Sequence, residues 1–112
     1  MKVALLIILR LCLIHILLIC GVVQAQNQKI DSLQGLLETI KGKSRVDILN
    51  ELSDYYSRKQ VLKPIAFAKE ALNLAKKIDY PLGQAFASYN LGHHLTHQGN
   101  NSQALDYLFS AL

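Results

Sequence analysis

Apolar and polar residues divide the chain into two parts with different patterns. Residues 3–23 form an almost unbroken apolar run, in which Arg10 is the one formally charged residue. After this run, apolar residues recur every three or four positions, which places them on one side of an α-helix. No segment alternates between apolar and polar with a period of two, so the pattern predicts an all-α protein.

The periodic part predicts short helices joined by short connections, with residues 42–44 as the first break. Pro64 suits the first turn of a helix, where a missing amide hydrogen costs nothing. Gly99 is suited to the left-handed conformation that ends a helix. Asn101 or Ser102 is expected to cap the last helix through its side-chain oxygen. The predicted helices cover residues 30–40, 45–58, 64–78, 82–97 and 102–112.

The apolar run at residues 3–23 has the layout of a secretory signal peptide. Lys2 precedes the run and Ala25 follows it, which gives a positive start, an apolar core and a small residue before cleavage. Cleavage is therefore predicted after Ala25, with export to the periplasm or cell envelope of a bacterium. The run is close to the ~20 residues that span a bilayer, so an uncleaved membrane anchor is the alternative. A lipoprotein site at Cys20 fits less well, because the bulky Ile19 precedes it.

Composition narrows the chemistry of the predicted mature chain, residues 26–112. Both cysteines, Cys12 and Cys20, lie in the apolar run, so no disulfide or thiolate chemistry is expected after cleavage. Loss of Lys2 and Arg10 leaves ten Lys and Arg against eight Asp and Glu, a net charge of +2. These charges are scattered rather than grouped in a basic block, which argues against nucleic acid as a partner.

The predicted helices repeat in pairs, with an offset of about 40 residues along the chain. This offset aligns Ala71 with Ala111, and a one-residue gap aligns Leu52 with Leu91. Each unit consists of a helix, a short break and a second helix.

At these positions the chain resembles the tetratricopeptide repeat family. Its first helix carries W-x2-L-G-x2-Y, and its second carries A-x3-F followed by a further alanine. The matching residues are Leu52, Ser53, Tyr56, Ala68 and Ala71 in the first unit, and Leu91, Gly92, Leu95, Ala104, Leu108 and Ala111 in the second. The chain departs from the motif in lacking Trp, in having Pro64 or Ile65 where a small residue is expected, and in exceeding the usual ~34-residue period.

The resemblance implies a short right-handed α-solenoid that follows the signal peptide of residues 1–25. A leader and capping helix would occupy residues 26–44, a first repeat 45–81 and a truncated second repeat 82–112. Small side chains at the motif positions would let the helices approach closely, and the larger ones would fill the space between them.

The resemblance also implies a protein or peptide partner, bound in a concave groove lined by the first helix of each unit. The expected groove residues are Phe86, Tyr89, His93, Thr96 and His97 in the second unit, and Asp47, Asn50, Asp54, Ser57 and Arg58 in the first. Stacking and hydrogen bonds to a peptide backbone would hold the partner. No cofactor and no catalytic residue is expected.

Two alternatives concern the context of these repeats. Stacked arrays need about three repeats, so Leu105, Leu108 and Leu112 are expected to lack a covering helix and to support self-association. Similar exported repeat proteins continue into a histidine kinase, a nucleotide cyclase or a DNA-binding regulator. The chain is therefore alternatively the sensor segment of a truncated signalling protein.

The sequence His-His-Leu-Thr-His suggests a metal or small-molecule binder as a further alternative. His93 and His97 are four residues apart and share one side of a helix. Zinc requires three or four ligands, and no Asp or Glu lies close in sequence to supply a third. The Glu of the H-E-x-x-H motif is also missing. We therefore expect these histidines to belong to the groove rather than to a metal site.

Overall fold

The computed structural model describes residues 1–59 and 64–112. Within these residues the chain forms five α-helices and no strand, as the pattern predicts. The helices are α1 (Lys2–Leu36), α2 (Gly42–Arg58), α3 (Pro64–Lys77), α4 (Pro81–His97) and α5 (Asn101–Ser110). Two compact units can be distinguished, Met1–Ser32 and Leu33–Leu112.

The first unit, Met1–Ser32, is helical and carries the apolar run. By length and composition, α1 is apolar enough to cross a membrane, and it lies near the N-terminus. This property is compatible with a signal peptide or a membrane anchor. The polar leader expected at residues 26–28 does not interrupt α1, because its Gln and Asn residues include neither Pro nor Gly to break the helix.

The first break differs from the prediction. α1 ends at Leu36 rather than at residue 40, and the chain turns before α2 begins at Gly42. Gly35 weakens the end of α1, and the guanidinium of Arg45 donates a hydrogen bond to the carbonyl of Leu37 in the turn. Gly42 has φ +66°, a left-handed conformation that glycine adopts without steric cost. The break therefore lies before Gly42, and residues 42–44 belong to α2 rather than to the break.

The later helix ends follow the prediction in part. α3 starts at Pro64 as expected, whereas the predicted break at residues 59–63 lies, from residue 60 onward, outside the described residues. Gly99 has φ +79° after α4, which confirms its left-handed conformation. The predicted cap of α5 is wrong: Asn100 precedes the helix without a side-chain hydrogen bond, and its carbonyl accepts from the Ala104 amide. α5 also ends at Ser110 rather than at residue 112.

The core of the second unit lies between consecutive helices. α2 packs on α3, α3 on α4 and α4 on α5, and α2 also contacts α4 directly. Of the predicted packing residues, eight are buried: Leu52, Ser53, Ala68, Ala71, Leu91, Gly92, Leu95 and Ala104. Tyr56 and Leu108 are half-buried, and the Tyr56 ring stacks on Phe67 with centroids 5.8 Å apart. Ala111 is also half-buried, since it lies beyond the end of α5.

Close approach between α4 and α5 depends on Gly92. A methyl group at this position would lie 2.6 Å from Cγ of Leu108 and 3.0 Å from the carbonyl oxygen of Ala104. The predicted need for a minimal side chain is therefore confirmed. Gly83 plays the same part where α4 crosses α2, since a methyl there would lie 2.6 Å from Cγ1 of Val46. That position was not predicted.

Candidate partner-binding surface

Buried polar contacts fix the side of α2 that faces α4. The Asn50 amide donates to the carbonyl of Gly83 at 3.2 Å, and the Asn90 amide donates to the carbonyl of Asn50 at 3.3 Å. One turn further along α2, Oγ of Ser53 lies 3.3 Å from Nε2 of His94. α2 contacts α4 through Asn50 and Ser53. The residue that follows each of them in sequence lies beside it on the helix surface, and therefore at the edge of the contact.

Asn50 was predicted to line the groove, and the structure corrects this prediction. Its side chain is buried, with 8% of the residue exposed. Its amide group is used by Gly83 and Asn90, so it holds two helices together instead of meeting a partner. The sequence pattern could not distinguish a polar residue that lines a groove from one that is buried between helices, because both recur at the same spacing along a helix.

The predicted groove residues of α4 are exposed and lie together on one side of the helix. Phe86 and Tyr89 are 55% and 52% exposed, and His93 and His97 are also exposed. The Tyr89 and His93 rings stack at 6.0 Å between centroids, and the His93 and His97 rings meet edge to face at 4.6 Å. Thr96 is exposed too, but its hydroxyl donates to the carbonyl of Gly92 within the helix at 2.9 Å.

Sequence reasoning missed the apolar end of this row. Leu82 is 58% exposed and precedes Phe86 by one helical turn. The sequence did contain a signal for Leu82, because its position four residues before Phe86 places both on one side of a helix. With Leu82, the exposed side of α4 runs from an apolar end to a histidine end.

The predicted groove residues of α2 run beside this row. Arg58 donates to the carboxylate of Asp54 at 2.6 Å, an ion pair within the helix. Ser57 connects the two helices, because its Oγ lies 3.4 Å from Nδ1 of His93. The Tyr80 hydroxyl donates to Asp47 at 3.0 Å, and this hydrogen bond raises the pKa of Tyr80.

We call the combined area the α2–α4 surface. It consists of Asp47, Asp54, Ser57 and Arg58 from α2 and Leu82, Phe86, Tyr89, His93 and His97 from α4.

His94 lies apart from this surface, in the contact between α2 and α4. Only 7% of the residue is exposed. The Ser53 hydroxyl donates to the carbonyl of Pro64 at 2.9 Å, so the contact with Ser53 requires a hydrogen on Nε2 of His94. Burial, and secondly the neighbouring His93, lower the pKa of His94. The neutral imidazole is therefore the form that the fold accommodates.

Metal ligands are sparse at the histidine end of the surface. Among the residues that the structure describes, no group of three or more His, Cys, Asp and Glu side chains is arranged to hold a metal ion. The rings of His93 and His97 are neighbours, and the third ring, His94, is directed into the contact with Ser53.

A second exposed apolar area lies on α5. Leu105, Phe109 and Leu112 are exposed among the described residues. Leu108 differs from the prediction, since it is half-buried and its side chain lies against Gly92 of α4. Self-association through this area stays a prediction.

Comparison of the chain with protein-family models, with curated proteins and with solved structures gave no match.

Proposed function

We propose that this chain is an exported helical-repeat protein of the tetratricopeptide type, which binds a protein or peptide segment on the α2–α4 surface and performs no catalysis. The proposal treats α2 with α3 as one repeat and α4 with α5 as the next. It is supported by the contact of α2 with both α3 and α4 and by the small residues buried at the helix contacts, among them Ser53, Ala71 and Gly92.

The observation that carries the proposal is the exposed aromatic pair Phe86 and Tyr89. Both rings are more than half exposed, whereas Ala87 and Leu91 on the other side of α4 are fully buried. Aromatic side chains are enriched among the residues that contribute most to binding at protein interfaces. His93 and Ser57 extend this area with groups that form hydrogen bonds. A mixed aromatic and polar surface suits a peptide, because rings contact its side chains while polar groups meet its backbone.

A photo-crosslinking residue at Phe86 tests the proposal directly. The full-length protein is expressed in a Gram-negative host with the crosslinker at Phe86, and covalent adducts are identified by mass spectrometry. The matched control carries the crosslinker at Lys69, an exposed position on α3. We expect a defined adduct at Phe86 that is missing at Lys69.

Binding measurements with the purified partner complete the test. Phe86→Ala and Tyr89→Ala together should weaken affinity by about tenfold or more, since truncated anchor residues at interfaces cost about 2 kcal/mol or more. Helical content should be unchanged, because both side chains are exposed. Identical adducts at both positions, or an unchanged affinity of the double variant, would show that this surface is not the binding site.

A further inference from the structure

A cleft in the second unit lies between the start of α2 and the second half of α3. Its volume is about 660 Å³, within the range of cavities that hold small molecules. The cleft shares no lining residue with the α2–α4 surface, so a ligand bound here would be independent of the proposed protein partner. The lining residues are Lys41, Gly42, Arg45, Glu70, Asn73, Leu74 and Lys77.

Positive charge prevails in this cleft. Three cations and one carboxylate line it, and three positive charges with one negative charge give +2. Lys41 and Lys77 are exposed, and neither forms an ion pair within the described part of the chain. Their ammonium groups are therefore available to a ligand, and the excess of positive charge favours an anion.

The third cation, Arg45, is held in place by the fold. Its guanidinium donates to the Leu37 carbonyl, and its Nε and one Nη donate to Oε1 of Glu70 at 3.2 and 2.6 Å. These contacts use three of the five N–H groups of a guanidinium, which leaves two for a ligand. Because only 29% of the Arg45 side chain is exposed, this cation is already ordered before a ligand binds, and binding costs less entropy.

Backbone amides and an apolar wall complete the lining. Lys41 precedes α2 without a side-chain hydrogen bond to the first amides of the helix, so these donors have no side-chain cap. On the opposite side, Leu74 is half-buried and packs against the core. The aliphatic parts of Lys41 and Lys77 extend this apolar wall. The cleft therefore suits an anion that also has an apolar part.

We propose that this cleft binds a small organic phosphate monoester. The phosphate would lie beside Arg45, Lys41 and Lys77, and the apolar part of the ligand would contact Leu74. A phosphate monoester carries a charge of about −1.5 to −2 at pH 7, which matches the excess of +2 in the cleft. Arginine binds phosphate through two parallel N–H groups, and lysine adds a point charge. A soluble metabolite and the headgroup of phosphatidic acid share this chemistry.

Isothermal titration calorimetry with phenyl phosphate tests the site on the full-length protein in mild detergent. We expect phenyl phosphate to bind and benzyl alcohol, which has the ring without the charge, to show no binding. Inorganic phosphate should bind about tenfold more weakly than phenyl phosphate, because it makes no contact with Leu74.

Charge variants connect the binding to the named side chains. Lys41→Gln with Lys77→Gln should weaken the binding of phenyl phosphate about tenfold. Glu70→Gln should strengthen it about threefold, since the negative charge is lost while the amide oxygen still accepts from Arg45. The matched control is Lys69→Gln with Lys76→Gln, an equal charge change at exposed positions of α3 outside the cleft. It should leave the affinity within about twofold of wild type.

Short-chain phosphatidic acid in the same detergent distinguishes the two sources of the phosphate. Affinity similar to that of phenyl phosphate supports a soluble ligand. Much tighter binding that Lys41→Gln with Lys77→Gln abolishes supports a lipid, provided that short-chain phosphatidylcholine does not bind.

Three results would overturn the proposal: no binding of either phosphate monoester, equal binding of benzyl alcohol, or equal weakening by the control pair at Lys69 and Lys76. The last result would show attraction by the overall charge of the chain rather than a site. None of them bears on the α2–α4 surface, which is tested by other residues.

Discussion

At the scale of single residues, glycine and alanine decide how closely these helices approach. The pattern of the sequence predicted that Gly92 needs a minimal side chain, and the contact with Leu108 and Ala104 bears this out. Gly83 has the same property and was missed, because it precedes the repeat motif. A glycine within a helix is informative only when the helix that crosses it is known.

Gly92→Ala should destabilise the protein by about 1–2 kcal/mol, because overpacking a close contact outweighs the roughly 1 kcal/mol gain in helix propensity. Thermal unfolding followed by circular dichroism measures the effect. Gly35→Ala is the matched control: no atom lies within 4 Å of the added methyl group. The control should be neutral or stabilising. A raised melting temperature for Gly92→Ala would contradict the close approach.

The buried His94 makes stability depend on pH. Its pKa is lowered in the folded chain by burial first and by His93 next, whereas an unfolded histidine titrates near 6.5. Below about pH 6.5 the unfolded state therefore binds more protons than the folded state, so stability falls as the pH falls. At higher pH His94 is neutral in both the folded and the unfolded state, so its contribution to stability is fully present.

The melting temperature should accordingly drop between pH 7.5 and 5.5, a window chosen around the ordinary histidine pKa. His94→Gln should flatten this dependence, since glutamine does not titrate. His97→Gln, at an exposed position of α4 within the predicted mature chain, is the comparison and should keep most of the wild-type slope. An equal slope in the His94→Gln variant would show that other groups cause the acid sensitivity.

At the scale of helices, α2 and α4 are joined by polar side chains that the apolar pattern does not reveal. Asn50 and Asn90 are 40 residues apart, which equals the repeat offset, and they contact each other through amide hydrogen bonds. The offset was visible in the sequence. That these two residues face each other was not, because the prediction placed Asn50 in the groove.

Asn50→Ala should cost about 1–3 kcal/mol, because it removes two buried hydrogen bonds, one from the Asn50 amide to the Gly83 carbonyl and one from the Asn90 amide to the Asn50 side-chain oxygen. Urea unfolding in mild detergent gives the value. Asn73→Ala, at an exposed position of α3, should remain within about 0.5 kcal/mol of wild type. Comparable stability of the two variants would mean that Asn50 is hydrated rather than buried.

Helix boundaries show where local signals failed. Gly42 was expected to break a helix, and instead it begins α2 in a left-handed conformation. Asn101 and Ser102 were expected to cap α5, and instead the helix begins after Asn100 without a side-chain cap. In both cases the residue types correctly indicated a helix end nearby. The exact residue at which the helix begins depended on the neighbouring turn.

At the scale of the whole molecule, the apolar run in α1 carries the prediction of export. Expression in a Gram-negative host should yield a mature chain that starts at Gln26, because a signal peptidase accepts the small side chain of Ala25. Intact-mass spectrometry of the envelope fraction measures the start. Ala25→Arg should block processing, and Ala25→Gly should preserve it. A wild-type chain that begins at Met1 would assign the run to a membrane anchor.

The sequence by itself determined the all-α class, the helical positions of the small residues and the long apolar helix near the N-terminus. These follow from periodicity and side-chain size, which are properties of neighbouring residues. The tertiary structure decided which polar residues are buried, since Asn50 and His94 meet their partners 33 and 41 positions away. It also decided that Leu82 joins the exposed row. Burial of a polar side chain depends on a hydrogen-bond partner brought by another helix, and spacing along one helix does not specify that partner.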